Sequence, residues 1–305
     1  MRIGLVLPTY FPTATVEGIR ETALLGEQAG FDSLWTTDHV MVAKGAPIQY
    51  ESIFESLSLL PFVAALTSRV RLGVSVLIVT MRPPVLVAKE AASIDRICGG
   101  RLVLGVAAGW SEPEFGYLGA DFKTRGARCD EAIRILRSLW SDPLAPFSGP
   151  TVRFEGQSFG PTPVQPGGPP IWVGGDSDAA LRRAARLGDA WHGGSSMSAL
   201  DTFAEAAAKI REMQGERSVE LTLRARFGEQ SGATSVPEGP VGWPGRRQWV
   251  IGGSADQVVN HLRSLERLGC SEVVVSFWEG DLAQHLRRAE WFAANVLPQL
   301  KGAVA

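Results

Sequence analysis

The stretch SLWTTDH at residues 33–39 is the part of the chain from which the fold is first inferred. Its aromatic and β-branched residues favour a short β-strand, and the strand ends in the polar pair Asp38 and His39. In a barrel of parallel strands, the carboxyl end of each strand opens onto the face that carries the active site. Asp38 and His39 are therefore the first candidates for chemistry. The alternative is a histidine that only caps a loop.

Outward from this strand, apolar strands alternate with amphipathic helices along the chain of 305 residues. Strands are expected at residues 3–7, 33–37, 70–78, 102–106, 171–174, 190–192, 219–227 and 273–276. Parallel strands need crossover helices, so this order predicts an α/β fold of the (β/α)8 TIM-barrel type. A doubly wound open sheet is the alternative, although no G-x-G-x-x-G motif follows the first strand.

Two irregular stretches, residues 141–170 and 228–248, interrupt the alternation. Both are rich in Pro and Gly and are too long for plain loops. We interpret them as insertions after strand 4 and strand 7 of a single domain that spans residues 1–305. Both are expected to shape a substrate pocket, and the first is expected to hold a short hairpin and to act as a lid.

Composition and charge exclude several classes of protein. Hydrophobic residues make up 45% of the chain, which is typical of a globular protein, and the net charge is −2 with no basic block. Nucleic acid and anionic membranes are therefore not expected as partners. No secretory signal and no apolar run of about 20 residues is recognised. The three cysteines are far apart and are expected to be buried free thiols, so a reducing cytoplasm is the expected location.

The stretch WVGGDS at residues 172–177 is the sharpest local signal for a ligand. A strand ends, two glycines turn the chain and a helix begins, so backbone amides become available to an anion. A phosphate site is predicted at Gly174, Gly175, Asp176 and Ser177. Because Asp176 repels a phosphate, the donors would be backbone amides and Ser177. An ordinary helix N-cap is the alternative.

Small residues occur inside two other strands. Gly73 and Ser75 lie in the third strand, and Ala107, Ala108 and Gly109 follow the fourth. Gly73 and Ser75 mark a bulge or a close approach of the backbone to a ligand, or else fit a crowded barrel interior. Ala107, Ala108 and Gly109 leave room for a flat ligand, or else form a tight turn. The four histidines show no metal-ligand spacing, and no Walker loop or G-x-S-x-G elbow is present. These features together favour a bound organic cofactor.

In their order and spacing these segments resemble the bacterial luciferase-like monooxygenase superfamily. They are most similar to its branch that uses the deazaflavin coenzyme F420. The matching pieces are IGLVLP at 3–8, AGFDSLW at 29–35 with DH at 38–39, LGVSV at 72–76, GGRL at 99–102 with GVAAG at 105–109, PPIWVGG at 169–175 and VIGG at 250–253. The resemblance covers nearly the whole chain.

The resemblance implies a flavin or deazaflavin at the carboxyl ends of the barrel strands. The histidine matching His39 is catalytic and lies beside the reactive ring carbon. The peptide matching Ser75–Val76 is often cis and forms a bulge behind the ring, and Asp38 orients the loop or contacts the ring edge. The implied cofactor-binding residues are Asp38, Ser75, Val76, Ala107, Ala108, Gly109, Gly174, Gly175, Asp176 and Ser177.

One position departs from the family pattern. The sugar-phosphate dehydrogenases of this group carry a catalytic glutamate directly after the glycine that matches Gly109, where this chain has Trp110. Trp110 is therefore expected in the substrate pocket and favours a more apolar substrate. Glu112 and Glu114 lie nearby, with no sequence signal that assigns either one to the site.

The function predicted from the sequence is an F420-dependent oxidoreductase, expected as a homodimer. It would transfer a hydride between the coenzyme and a small organic substrate. An FMN-dependent monooxygenase that uses O₂ is the first alternative, because the same barrel serves both. A non-catalytic flavin- or deazaflavin-binding protein is the second alternative, because fold does not determine function.

Overall fold

The computed structural model describes residues 1–10, 13–44, 52–235, 247–277 and 281–301. Within these ranges the strands are β1 (Arg2–Val6), β2 (Ser33–Thr36), β3 (Arg71–Ile78), β4 (Leu102–Ala107), β5 (Phe147–Ser148), β6 (Arg153–Phe154), β7 (Ile171–Gly174), β8 (Ala190–Gly193), β9 (Glu220–Gly228), β10 (Gly232–Ser235), β11 (Arg247–Gly252) and β12 (Cys270–Ser276). The α-helices are α1 (Val16–Ala29), α2 (Ser56–Leu66), α3 (Pro84–Ile97), α4 (Glu112–Tyr117), α5 (Arg125–Ser141), α6 (Asp178–Leu187), α7 (Leu200–Met213), α8 (Ala255–Arg267), α9 (Leu282–Asn295) and α10 (Leu297–Lys301).

The predicted (β/α)8 barrel is confirmed. Its eight strands follow one another in the order β1, β2, β3, β4, β7, β8, β9 and β12, and β12 pairs with β1 to close the cylinder. Every pair in this circuit is parallel. The carboxyl ends of all eight strands therefore meet at one mouth, the face where barrel enzymes carry their chemistry.

Local sequence chemistry sets the ends of the helices. The Thr15 side chain accepts the Gly18 amide and starts α1, and Gly30, at a φ of 88°, ends it. Ser254 and Gln257 form the predicted capping box at the start of α8. These boundaries were readable from the sequence because each depends on residues within four positions of one another.

Glycines in two strands make room for a tryptophan inside the barrel. Trp35 is fully buried, and a Cβ placed on Gly73 would lie 2.3 Å from its ring. A Cβ on Gly4 would lie 2.6 Å from the Trp35 indole nitrogen. Gly73 therefore serves the packing of the crowded interior, which is the second of the two interpretations offered by the sequence.

The insertion at 141–170 holds the expected hairpin, formed by β5 and β6, but it is not a lid. It joins the end of α5 to the start of β7, so it lies at the amino-terminal face, opposite the mouth. The fully buried carboxylate of Asp95 accepts the backbone amides of Val164 and Gln165. The amide of Gln165 also donates to the carbonyl of Leu102, the first residue of β4. The expectation that this insertion shapes a substrate pocket is therefore wrong.

The insertion at 228–248 follows β9 and leaves the barrel at the mouth. Its described ends form β10 and β11, which pair antiparallel with each other, and β11 also pairs parallel with β9. Residues 236–246 lie outside the described residues. The idea that this insertion shapes a substrate pocket stays a prediction.

Two further expectations concern the cysteines and membranes. Cys98, Cys129 and Cys270 are buried free thiols, as predicted. Burial raises the pKa of the Cys129 and Cys270 thiols to about 12, so neither is a ready nucleophile. In the part of the chain that the structure describes, no helix is both long enough and apolar enough to cross a bilayer.

Candidate active site

The structure brings most of the predicted site residues to one side of the mouth. His39 follows β2, the Ser75–Val76 peptide lies in β3, Ala107–Gly109 end β4, and Gly174–Ser177 end β7. These four strands are consecutive neighbours in the barrel. Residues separated by more than 130 positions in the chain thus belong to one contiguous part of the mouth.

His39 lies in a buried polar contact that the sequence did not indicate. Its side chain is almost fully buried, and its Nδ1 is 2.8 Å from Oε2 of Glu114, which is fully buried. The Trp110 ring meets the imidazole edge-to-face with a centroid distance of 5.4 Å. The structure therefore places Trp110 beside His39 and adds Glu114 as a third member of the cluster.

Glu114 comes from α4, a helix of six residues that the sequence reading missed. Ser111 stands at its N-cap position and Pro113 lies in its first turn. This Ser-x-Pro order is a helix-start signal that could have located it. The helix is too short to show a hydrophobic period, which is why the surrounding pattern did not reveal it.

The Asp38 carboxylate is held by hydrogen bonds within the protein, and its role toward a cofactor stays a prediction. Its carboxylate accepts the Ile78 amide at 2.8 Å and the Ser56 hydroxyl at 2.9 Å. The Arg82 guanidinium adds two further bonds, at 2.7 and 2.8 Å. Asp38 therefore ties the tip of β2 to the end of β3 and to the start of α2.

The Ser75–Val76 peptide is cis, as the resemblance implied. The pairing of β3 with β4 shifts register between Val74 and Leu77, so this peptide lies in a bulge. Nη1 of Arg224 donates to the Ser75 carbonyl at 2.7 Å. A Cβ on Gly174 would lie 2.9 Å from the Val76 side chain, so that glycine makes room for the bulge.

A chain of hydrogen bonds supports the bulge from inside the barrel. The Thr222 hydroxyl donates to the Trp191 carbonyl at 2.9 Å, so its oxygen accepts from Nδ1 of His192 at 2.8 Å. Nε2 of His192 is 2.8 Å from the Ser75 hydroxyl. Burial, with the Arg224 cation nearby, lowers the pKa of His192 to about 3. The imidazole is therefore neutral, and the Ser75 hydroxyl donates a hydrogen bond to Nε2.

Buried neutral histidines predict acid lability. Burial, with Arg288 nearby, also lowers the pKa of His285, to about 4, whereas an unfolded histidine titrates near 6.5. Below pH 6.5 the unfolded chain binds protons that the folded chain does not, so stability is lost as pH falls. Between pH 7.5 and 5.5 we expect a loss of about 1.4 kcal/mol for each of His192 and His285.

Urea unfolding at pH 7.5 and 5.5 measures this loss. Burial lowers the pKa of His261 as well, so it shifts stability in the same direction. A His285→Leu variant removes one of the titrating groups and should lose about 1.4 kcal/mol less than the wild type over this interval. An unfolding free energy that is equal at the two pH values would contradict the prediction.

The Gly174–Ser177 segment contains the ordinary helix cap offered as the alternative, and the anion site stays a prediction. The Ser177 side chain accepts the Ala180 amide at 3.3 Å, so it is the N-cap of α6. The Asp176 carboxylate accepts the Gly194 amide at 3.1 Å and the Ser196 hydroxyl, which directs its charge toward the end of β8. The Asp178 and Ala179 amides at the start of α6 have no intrahelical acceptor and are the donors that a phosphate would use.

Buried hydroxyls indicate how well the mouth fits a polar organic group. Within the described ranges, the side-chain oxygens of Thr9, Thr37 and Ser111 have no hydrogen-bond partner. All three are buried and follow the ends of β1, β2 and β4. Because buried hydroxyls are normally paired, these atoms suit a ligand with polar edges. Together with the bulge and the α6 amides, they are compatible with a flavin-like ring that carries a phosphate.

A cavity of about 570 Å³ lies elsewhere, between α8 and α9. Phe227, Phe277 and Trp291 line it. Arg224 reaches inward from β9 to the Ser75 carbonyl, and Phe227, three residues further along the strand, lies on the opposite face. The cavity beside Phe227 is therefore outside the barrel wall. It shares no residue with the cluster at the mouth. We therefore assign the candidate site by its chemistry and not by cavity size.

Comparison with known proteins identifies the family of the chain. The family model for luciferase-like monooxygenases matches residues 1–233. An FMNH2-dependent dimethylsulfone monooxygenase of Pseudomonas fluorescens is 36% identical over 176 residues, which are 57% of this chain and 46% of that protein. An F420-dependent glucose-6-phosphate dehydrogenase of Amycolatopsis mediterranei is 27% identical across 92% of this chain and 93% of that protein.

A solved structure shows the same fold. A monooxygenase from Streptomyces bottropensis superposes with a TM-score of 0.77 over 98% of this chain and 100% of that one. The two sequences are 18% identical, so the similarity concerns the fold alone. The relatives at higher identity use two different cofactors, a deazaflavin and a flavin, according to their names.

Proposed function

Because the chain belongs to the luciferase-like monooxygenase family, we propose that it is an F420-dependent oxidoreductase acting on a small organic substrate. The observation that carries this proposal is the buried His39–Glu114 contact at the mouth, 2.8 Å between Nδ1 and Oε2. Hydride transfer to or from an oxygen-bearing carbon needs a positioned group that moves a proton, and a histidine is suited to this near neutral pH. The relative that spans 92% of this chain supports the deazaflavin over the flavin.

Three groups of residues would hold the cofactor in this proposal. The α6 amides with Gly174, Gly175, Asp176 and Ser177 would take its phosphate, and the Ser75–Val76 bulge would support the back of its ring. The small residues Ala107, Ala108 and Gly109 would leave room for the ring, and Asp38 would hold the loop in place. When bound, the deazaflavin supplies a ring carbon that gives or accepts a hydride and reacts poorly with oxygen.

The protein's own side chains would orient the substrate and handle its proton. His39 would bond the substrate oxygen and exchange a proton with it. Trp110, next to His39, would offer an apolar face to the substrate. A homodimer, expected from the resemblance, stays a prediction.

Two other functions remain as alternatives. An FMN-dependent monooxygenase is favoured by the 36% identity to a relative that uses reduced FMN. A protein that binds the cofactor without turnover is compatible with the same barrel. The first alternative differs from the proposal in the cofactor and in its use of O₂, and the second differs in having no turnover.

Titration with oxidised F420 and with FMN, followed by tryptophan fluorescence, distinguishes these functions. The proposal predicts micromolar F420 affinity with negligible FMN binding, followed by turnover with a substrate from a panel of alcohols and carbonyl compounds. The reverse order of affinities supports the monooxygenase. Binding without turnover of any substrate supports the non-catalytic alternative.

A pair of glycine variants tests the phosphate site in the same titration. Gly175 has a φ of 118°, and a Cβ there would lie 2.9 Å from that of Ala180. A Gly175→Ala variant should therefore bind the phosphorylated cofactor at least tenfold more weakly, which is about 1.4 kcal/mol. Gly156, at a φ of 71° with open space around it, lies in the 141–170 insertion, and Gly156→Ala should bind like the wild type.

A further inference from the structure

We propose that Glu114 is a positioning residue that fixes the ring proton of His39 on Nδ1 and leaves proton exchange to Nε2. The proposal rests on the proposed function only in assigning His39 to the chemistry. The contact between the two side chains can be tested in the protein without cofactor. The two ideas can therefore fail separately.

The Glu114 carboxyl group binds two backbone amides and the His39 ring. Its Oε1 accepts the Val40 amide at 2.6 Å and the Met41 amide at 3.2 Å, and its Oε2 is 2.8 Å from Nδ1 of His39. Two of these partners are backbone N–H groups, which can only donate. Both amides donate to Oε1, and such bonds favour the ionised form of this fully buried carboxyl group, whose oxygens can only accept.

This pattern determines the tautomer of His39. A carboxylate has no proton to give, so Nδ1 of His39 must donate to Oε2. In a neutral imidazole the other nitrogen, Nε2, is then an acceptor. The hydrogen bond made by one ring nitrogen thus sets the chemistry of the other, as it does for other functional histidines oriented by a carboxylate.

The same carboxylate also holds the backbone that carries the histidine. The amides of Val40 and Met41 directly follow His39, so Glu114 fixes the ring and the turn of chain behind it. Glu114 is on α4, after β4, whereas His39 follows β2. The helix inserted after β4 therefore places a group that completes the site begun by β2.

The path of each proton in the proposed reaction is consistent with this role of Glu114. In the proposed oxidation of an alcohol, the C–H bond would break and a bound oxidised deazaflavin would accept the hydride. The O–H bond breaks, its proton passes to Nε2 of His39, and the carbon–oxygen double bond forms. The Nδ1 proton stays on the ring, so Glu114 orients the base and takes no proton.

A Glu114→Gln variant keeps the hydrogen bonds to the backbone but changes the hydrogen bond to the His39 ring. The amide oxygen can still accept from Val40 and Met41, but the amide NH2 then faces Nδ1 of His39. Nδ1 must become an acceptor, and the ring proton moves to Nε2. Long-range proton–nitrogen NMR spectra of the cofactor-free protein report which ring nitrogen carries the proton. The His39 signals are identified by their absence from the spectrum of a His39→Gln variant.

The wild type should show the proton on Nδ1, and Glu114→Gln should show it on Nε2. With F420 the variant should lose about 100-fold or more in kcat, while F420 affinity stays within about threefold. Glu112→Gln is the matched control, because Glu112 is exposed on the same helix. It should leave both the His39 spectrum and kcat unchanged.

Each outcome bears on a different idea. A wild-type His39 protonated on Nε2, or an unchanged tautomer in Glu114→Gln, overturns the inference whatever the activity. The expected tautomers without F420 turnover by the wild type support the positioning role and overturn the proposed function. If Glu114→Gln does not fold, the wild-type spectrum alone still decides the tautomer.

Discussion

Replacing Gly105 by alanine is expected to destabilise the barrel by about 3 kcal/mol or more and to abolish cofactor binding. Gly105 lies in β4 opposite the bulge of β3, and a Cβ there would lie 2.1 Å from the Val74 carbonyl oxygen. That oxygen is backbone, so no rotamer change can relieve the contact. The Ser75–Val76 bulge would have to move, and it is the element proposed to support the cofactor ring. Urea unfolding and F420 titration measure the two effects.

Alanine substitutions at two other glycines give the stabilities with which Gly105→Ala is compared. Gly174→Ala brings a Cβ to 2.9 Å from the Val76 side chain, which is softer than backbone, so a smaller loss of stability is expected. Gly116→Ala in α4 meets nothing within 4 Å and should be neutral or about 1 kcal/mol more stable. Equal stability of Gly105→Ala and Gly116→Ala would show that the bulge is not held as described.

These glycines show what the sequence could and could not indicate. Small residues inside buried strands indicate that another group approaches the strand closely. The partner could not be read from the sequence, because it comes from a neighbouring strand. At Gly73 the partner is Trp35, and at Gly105 it is the backbone of Val74. Neither partner is a ligand. A glycine in a buried strand therefore predicts that another group approaches closely, but it does not identify that group.

The barrel itself was predictable because its signals are local. Apolar strands, N-caps and glycine stops each depend on a few consecutive residues, and their alternation indicates a parallel barrel. The wrong inference about residues 141–170 has a topological cause. A segment that follows a helix and precedes a strand lies at the amino-terminal face, where loops stabilise the barrel. Its Pro and Gly content indicated irregular structure but not which face.

The candidate site was only half predictable for a related reason. His39 could be nominated because it ends a strand, and Trp110 because it departs from a family pattern. Glu114 could not, since its contact with His39 joins positions 75 residues apart in the chain. His192 was not predictable either, because its role depends on Ser75 and Thr222 from two other strands. Polar contacts between strands become visible only once the barrel is closed.

Replacing His39 by alanine is expected to lower kcat with F420 and a turned-over substrate by about 10² to 10⁴. The histidine is the buried group at the mouth proposed to exchange the substrate proton, and alanine can neither accept nor donate one. F420 affinity should change little, because the proposed phosphate and ring contacts come from β3, β4 and β7. Steady-state kinetics with a separate F420 titration distinguish the two effects.

The choice of controls decides whether this loss reflects proton transfer. His39→Gln keeps a hydrogen-bonding side chain that cannot carry a proton, so its kcat should fall nearly as far as that of alanine. His261→Gln changes a histidine on α8 that bonds the Ser198 carbonyl at 2.8 Å, and its kcat should match the wild type. A His39→Gln enzyme with wild-type kcat would mean that His39 only orients the substrate. The proton would then have to leave through another group, which would remove the premise on which the proposed function rests.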